Sequence, residues 1–380
     1  MESGEQAYWL ALRRAGLGSV NFALLLRHFG SIPGAWAATS AELGRAGLDA
    51  QYLRGFEKAR ASFVAGREAE LLEAAGARAL TWQDEGYPPV LREIPQSPPV
   101  LFVRGKLGPQ LGQAVAVVGT RHVTPYGRQA AEQFCEALAA AGVAIVSGLA
   151  RGVDAIAHRV ALEGGVPTVA ALAGGIDQVY PRENAGLAER IAEQGCLVSE
   201  YPPGIPARPD YFPRRNRIIS GLAQATLVVE AGEGSGALHT ANWAFEQGRE
   251  VFAIPGSVFS RQSRGTNQLI RENTAKLVVT PEQLCEELNL LTAGRQLPMD
   301  TGRERPGQPR AVPANRPAPA RPAASAEEGR VLHWLEEAPR HVDELVRASG
   351  MPVAELSGTL QLLELKGLVR QTGPMVYELA

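Results

Sequence analysis

Six segments of the sequence gather small residues, four of them beside arginine: GTRHVTPYG, SGLARGVD, AGGIDQVYPREN, SEYPPG, EAGEGSGALHT and PGSVFSRQSRGTN. Gly119, Ser147, Gly148, Gly174, Gly175, Ser235 and Gly236 bring bare backbone N–H groups and hydroxyls, which bind anions, above all at helix N-termini. Arginine accompanies them: Arg121 after Gly119 and Thr120, Arg151 after SGLA, Arg182 in YPREN, and Arg208, Arg214, Arg215 and Arg217 in RPDYFPRRNRIISG. Each guanidinium can fork onto phosphate oxygens. The rings of Tyr201, Tyr211 and Phe212 offer faces on which bases stack. This inventory suits single-stranded nucleic acid better than one small nucleotide. The structural alternative is that the glycines only permit tight turns and the arginines hold a salt-bridged corner.

Cofactor chemistry finds little support. G-x-G-x-x-G is absent after the strand VAVV, and VAIV ends in Ser147-Gly148 without the acidic residue that holds a ribose hydroxyl, so NAD and FAD fit poorly. No GxxxxGK[ST] loop is present, none of the six histidines has metal-ligand spacing, and no cofactor or metal is expected. Ser147, Asp154 and His158 supply the residue types of a catalytic triad, but Ile145 stands where a nucleophile elbow needs glycine. Asp154 and His158, four apart on a helix, more often cap or orient. Glu230 and His239 are the remaining catalytic candidates, and no catalytic residue is assigned.

The elements that would position these loops are legible as short apolar runs. AVAVVG, VAIVSG, TVAALAGG, CLVSE, ATLVVEAG, EVFAIPG and AKLVVT alternate with helical stretches, which predicts strands buried on both faces and paired in parallel through helical crossovers. The fold class is α/β, a doubly wound, mostly parallel sheet whose ligands lie beyond the C-terminal strand ends.

Four segments follow from composition and periodicity. Residues 1–76 read as a small helical domain in which YWLALRR, the turn GLG and SVNFALLLRHFG resemble a helix-hairpin-helix, with Thr39 and Glu42 at capping-box spacing and Asp49 placed to cap the next helix. Residues 77–290 carry the sheet. Residues 291–326, rich in Pro, Ala and Arg, read as an extended linker. Residues 327–380 predict three helices and two short strands around Thr372-Gly373-Pro374, a winged-helix domain.

Bulk properties agree with an ordinary globular chain: 380 residues, 45% hydrophobic, 21% charged, net charge −2. No apolar run approaches the roughly 20 residues of a membrane span, and the N-terminus lacks the order of a signal peptide, so no membrane partner is expected and a cytoplasmic location is. Cys135, Cys196 and Cys285 are isolated in apolar segments and read as core residues.

The motifs VAVVGTR, IVSGLARGVDAIAH, GGIDQVYPREN, SEYPPG, FPRRNRIISGL, VVEAGEGSGALHTANWA, GREVFAIPG and SRGTNQLI, in this order over about residues 87–284, closely resemble the DNA processing protein A family (DprA, also called Smf). The resemblance implies an extended Rossmann-like core, a SAM-like N-terminal module and a C-terminal winged helix. It implies a bacterial cytoplasmic homodimer that binds and protects single-stranded DNA and loads the RecA recombinase during natural transformation. Carried onto this sequence, the DNA pocket is Gly119, Thr120 and Arg121; Ser147, Gly148 and Arg151; Arg214, Arg215, Asn216 and Arg217; and Ser235, Gly236 and Thr240. The residue reading adds Gly174, Gly175, Arg182 and Phe212. Two positions depart from the family pattern: His239 in SGALHT, and ENTAKLV before the last strand, near surface the family uses for self-association.

In residues 327–380 five basic residues face nine acidic ones, and the would-be recognition helix carries Lys366 alone. Duplex recognition needs basic side chains on phosphates, so protein binding is the preferred role for this domain. Three readings of the whole chain stand: a non-enzymatic single-strand binder and recombinase loader; a nucleotide phosphoribohydrolase acting on a mononucleotide; and an oligomeric scaffold with structural arginines. The second usually carries PGGxGTxxE, whereas the corresponding loop here, EAGEGSGALHT, lacks the final glutamate.

Overall fold

The computed structural model describes residues 3–64, 66–108, 113–290, 326–335, 340–349, 351–366, 368–373 and 376–379. They fall in two compact units, Met1–Met299 and Asp300–Ala380. The expected linker, residues 291–326, lies outside the described residues apart from Ala326.

The first unit is built on a nine-stranded sheet: β1 Arg78–Thr81, β2 Val100–Gly105, β3 Val115–Val118, β4 Ile145–Ser147, β5 Thr168–Ala171, β6 Cys196–Ser199, β7 Ala225–Val228, β8 Glu250–Ala253 and β9 Lys276–Leu277. Their order is β1-β2-β6-β5-β4-β3-β7-β8-β9. From β6 to β9 all pairings are parallel, while β2 runs antiparallel to both β6 and β1. The Rossmann-like doubly wound sheet is as the apolar runs predict, and all seven predicted strands form, but β9, expected to be buried on both faces, is an edge strand exposed at both of its residues. β1 and β2 escaped notice because RALT is half polar and VLFVRG directly follows prolines.

Strands β3 to β7 are buried at every residue, and alternate side chains enter opposite layers. Val115 and Val117 pack with Phe134, Leu138 and Ile156 of the helices Pro125–Ala140 and Val153–Glu163. Ala116 and Val118 face Ile218, Ile219 and Ala241, from the helices Tyr211–Gly221 and Gly236–Glu246. All three cysteines are buried, as expected. The chain winds outward from β3 in one direction and from β7 in the other, leaving a crevice beyond their C-terminal ends.

The N-terminal helices do not form a separate core. Trp9, Phe22 and Phe56 share one apolar cluster with Phe102 of β2, Ala170 of β5 and Leu197 of β6. The Thr39–Glu42 capping box forms, with the Thr39 amide donating to Glu42 Oε2 at 2.7 Å. Asp49 occupies an N-cap position, but its side chain accepts no capping hydrogen bond. A buried ionic triad ties these helices to the sheet. Arg13 donates to the Glu200 carbonyl at 2.9 Å and to its carboxylate at 3.2 Å, while Arg217 forks onto the same carboxylate at 2.7 and 3.0 Å.

In the second unit the helices Ala326–Leu335, Val342–Ser349 and Val353–Leu365 enclose Val331, Leu345, Leu356 and Leu360. Strands β10 Arg340–His341, β11 Val369–Gly373 and β12 Val376–Leu379 pair antiparallel in the order β10-β12-β11, giving the predicted winged helix with one extra short strand. No helix among the described residues is long and apolar enough to cross a membrane.

Burial opposes the charge on Glu200, but Arg217 outweighs it and holds the carboxyl below its ordinary value. Removing one member of a buried pair strands the other's charge. We expect Arg217→Met to lower the unfolding free energy by about 3 kcal/mol or more in chemical denaturation, whereas Arg151→Met, which breaks only an exposed pair, leaves the transition unchanged.

Candidate nucleic-acid interface

The loop leaving β3 turns at Gly119, where an added Cβ would lie 2.5 Å from Val153 Cγ2 and 3.0 Å from the Glu230 carbonyl. Only glycine fits between the two strand-end loops. The Thr120 amide donates to the Glu230 carbonyl at 2.7 Å, and Thr120 Oγ1 accepts from the His122 amide at 3.1 Å. Glu230 is buried, and its carboxylate accepts from the Thr124 amide at 3.0 Å and hydroxyl at 2.7 Å. That carboxylate anchors the loop leaving β3.

Arg121 is exposed, with its guanidinium 5.5 Å from the centre of the Phe212 ring, and among the described residues no carboxylate pairs with it. Phe212 and Arg215 lie three apart on one face of the helix Tyr211–Gly221. Arg215 is buried: it donates to the Gly148 carbonyl at 2.7 Å and to the Ala171 carbonyl, at the ends of β4 and β5. Burial pushes its guanidinium down to about 10, and the nearby Asp154 carboxylate opposes this, so it stays charged at neutral pH. An added Cβ on Gly148 would lie 2.6–2.8 Å from that guanidinium. Asn216 Nδ2 donates to the Gly236 carbonyl at 3.1 Å, joining this helix to Gly236–Glu246, whose N-cap Ser235 accepts from the Ala237 amide at 3.4 Å.

Together these groups line a cavity of about 870 Å³ at the crevice between β3 and β7. Of the predicted site residues it gathers Gly119, Thr120, Arg121, Phe212, Arg215, Asn216, Ser235, Gly236 and Thr240. Eight others it does not bring to this wall. Ser147 is fully buried and donates to the Val117 carbonyl at 2.6 Å; Gly148 lies beneath Arg215. Gly174 and Gly175 pack against the chain at residues 202–207, and the Gly175 amide donates to the Ile205 carbonyl. Arg217 is bound to Glu200, and Arg151 forks onto Glu183 at 2.6 and 2.7 Å. Arg182 and Arg214 are exposed outside the cavity lining. Conversely, His122, Tyr180, Arg261 and Arg264 line the cavity without having been singled out as binding residues. Arg261 and Arg264 stand in SRQSRGTN, where the sequence signal is the small residues rather than the two cations.

The triad types do not assemble. Asp154 accepts from the Gly148 and Ala150 amides at 3.2 and 3.3 Å, capping the loop after β4, and burial raises its carboxyl above the usual range. Thr168 Oγ1 donates to the Ile145 carbonyl, so His158 Nδ1 donates to Thr168 Oγ1 across 2.7 Å. His158 Nε2 is left buried without a partner, and burial, with Arg215 adding to it, pushes the imidazole down to about 3.

A family model for DNA recombination-mediator protein A matches residues 78–289. The chain belongs to that family. A DprA winged helix domain model matches residues 315–373. The chain is similar over its whole length, and the whole length of the relative, to Protein Smf of Synechocystis, at 34% identity. Among solved structures it resembles DNA processing protein A from Streptococcus pneumoniae (TM-score 0.66, 32% identity, 74% of this chain and 97% of that one). It also resembles the Helicobacter pylori DNA processing protein A described for its single-stranded DNA binding mode (TM-score 0.51, 28% identity, 57% and 97%). The motif order read from the sequence and the Rossmann-like core with a winged helix agree with membership of the DprA family.

The depressed His158 has a consequence for pH. The unfolded imidazole takes a proton near pH 6.5 and the folded one only near 3, so stability falls as pH is lowered through this window, by up to about 1.4 kcal/mol per pH unit. Denaturant unfolding at a series of pH values should give a flatter dependence for His158→Gln than for the parent chain.

Proposed function

We propose that this chain binds single-stranded DNA in the crevice between the loops leaving β3 and β7, without catalysing a reaction, and delivers the bound strand to the RecA recombinase. The observation that carries the reading is Arg121: an exposed guanidinium without a carboxylate partner among the described residues, laid over the Phe212 ring above the buried charge of Arg215. A phosphate meets Arg121 and the amides at the Gly236 helix start, and a base takes the place of the Arg121 guanidinium over the Phe212 ring as that guanidinium turns to the phosphate. The single-stranded DNA binding described for the Helicobacter pylori relative supports the ligand, and the family description as a recombination mediator supports the handover.

The engagement of Asp154 and Glu230 with loop amides favours binding over hydrolysis of a mononucleotide. We extend the proposal to a homodimeric, cytoplasmic protein; the half-exposed Leu277 and Val279 at the β9 edge support self-association there. The acidic balance of residues 327–380 favours a protein ligand for the winged helix.

Affinity for oligo-dT should rise with length and fall steeply with salt, because each phosphate contact releases counterions. Arg121→Ala should weaken binding by about ten-fold or more, the scale of a charge-assisted contact. Fluorescence anisotropy across salt and length tests both; a flat salt response, or equal affinity for thymidine monophosphate, would sink the reading.

A further inference from the structure

The most exposed large apolar side chain among the described residues is Phe259, at 93%, with Val258 beside it at 75%. An apolar pair standing in water has a cost, and here the chain around it is built to keep it standing. The loop leaving β8 is fixed at its base: Gly256 exchanges two hydrogen bonds with the Asn267 amide, at 3.1 and 3.0 Å, and the Pro255 carbonyl accepts from the Tyr126 hydroxyl. At its far side the Gly265 amide donates to the Ala231 carbonyl at 2.8 Å, joining it to the loop after β7. The tip itself closes in a turn, with the Ser260 amide on the Ser257 carbonyl at 3.0 Å. The backbone that carries the ring is thus held at its base, its far side and its tip.

Its surroundings are basic and belong to the crevice. Arg261, two residues on and so within about 7 Å by chain geometry, lines the cavity and is exposed, and Arg264 lines it also. Glu233 is the carboxylate near Arg264, at 3.7 Å, and no carboxylate pairs with Arg261 among the described residues. An exposed ring two residues from a cavity-lining guanidinium without a carboxylate partner supplies the same residue types as Phe212 and Arg121 inside the cavity.

We propose that Phe259 and Arg261 form a second stacking subsite, on which a base and its phosphate rest where a single strand leaves the cavity across the β8 loop. This deepens the reading of the crevice as a single-strand site and rests on it. Such a subsite acts only on strands long enough to emerge.

The test compares oligo-dT of about four and about 16 nucleotides, the span of single-fold site sizes, in anisotropy titrations of the full-length chain. Phe259→Ala and Phe259→Leu should weaken binding of the long oligonucleotide about ten-fold and leave the short one unchanged. Phe259→Trp should keep affinity, with indole fluorescence quenched on binding. Arg121→Ala should weaken both lengths. If Arg121→Ala weakens binding but Phe259→Ala and Phe259→Leu do not, this inference falls and the crevice reading stands; no binding by the parent chain overturns both. Loss of affinity in Phe259→Ala accompanied by a smaller species in gel filtration assigns the ring to contact between copies and also overturns it.

Discussion

A guanidinium removed from water is the constraint around which the crevice is arranged. Burying such a charge is costly unless its donors are satisfied, and the acceptors that satisfy Arg215 are carbonyls at and just beyond the ends of β4 and β5. Parallel strands stop there, so their last carbonyls are free to take side-chain donors. Because these partners are backbone, the cation is fixed in place before any ligand arrives, and no side-chain entropy is spent on holding it at the moment of binding. Phe212 sits one helical turn before it, and its ring is thereby committed to the cavity, where Arg121 lies across it.

The same short helix is gripped on three sides by three consecutive residues. Arg215 reaches the strand ends, Asn216 the start of the neighbouring helix, and Arg217 the carboxylate of Glu200. Glu200 is shared with Arg13, so the N-terminal helices and the cavity wall are braced through one buried carboxylate. Tyr201 stacks on Tyr211 at 4.0 Å, adding an apolar contact to this corner. Those two rings, read from the sequence as stacking surfaces for bases, are occupied with each other.

The sheet was legible because strands buried on both faces leave uninterrupted apolar runs, and the winged helix because its periods change from helical to alternating. The fate of each arginine was not. Arg121, Arg215 and Arg217 carry the same side chain in similar glycine-rich or basic contexts, yet one is exposed over a ring, one is buried on carbonyls and one is paired with Glu200. Those outcomes depend on partners tens to hundreds of residues away, as with Arg13 and Glu200, which no local pattern encodes. Adjacent glycines misled in the opposite sense: Gly174 and Gly175 serve close packing of the chain at residues 202–207, whereas Arg261, with no glycine between Gly256 and Gly265 beside it, reaches the cavity.

Gly148 shows how such a fold restricts its own history. The atom it lacks would occupy the space of the Arg215 guanidinium, so the residue is a vacancy kept for a distant charge. A side chain at 148 would require the Arg215 guanidinium to move from the Gly148 and Ala171 carbonyls that hold it. The two positions, 67 apart in sequence, share one volume.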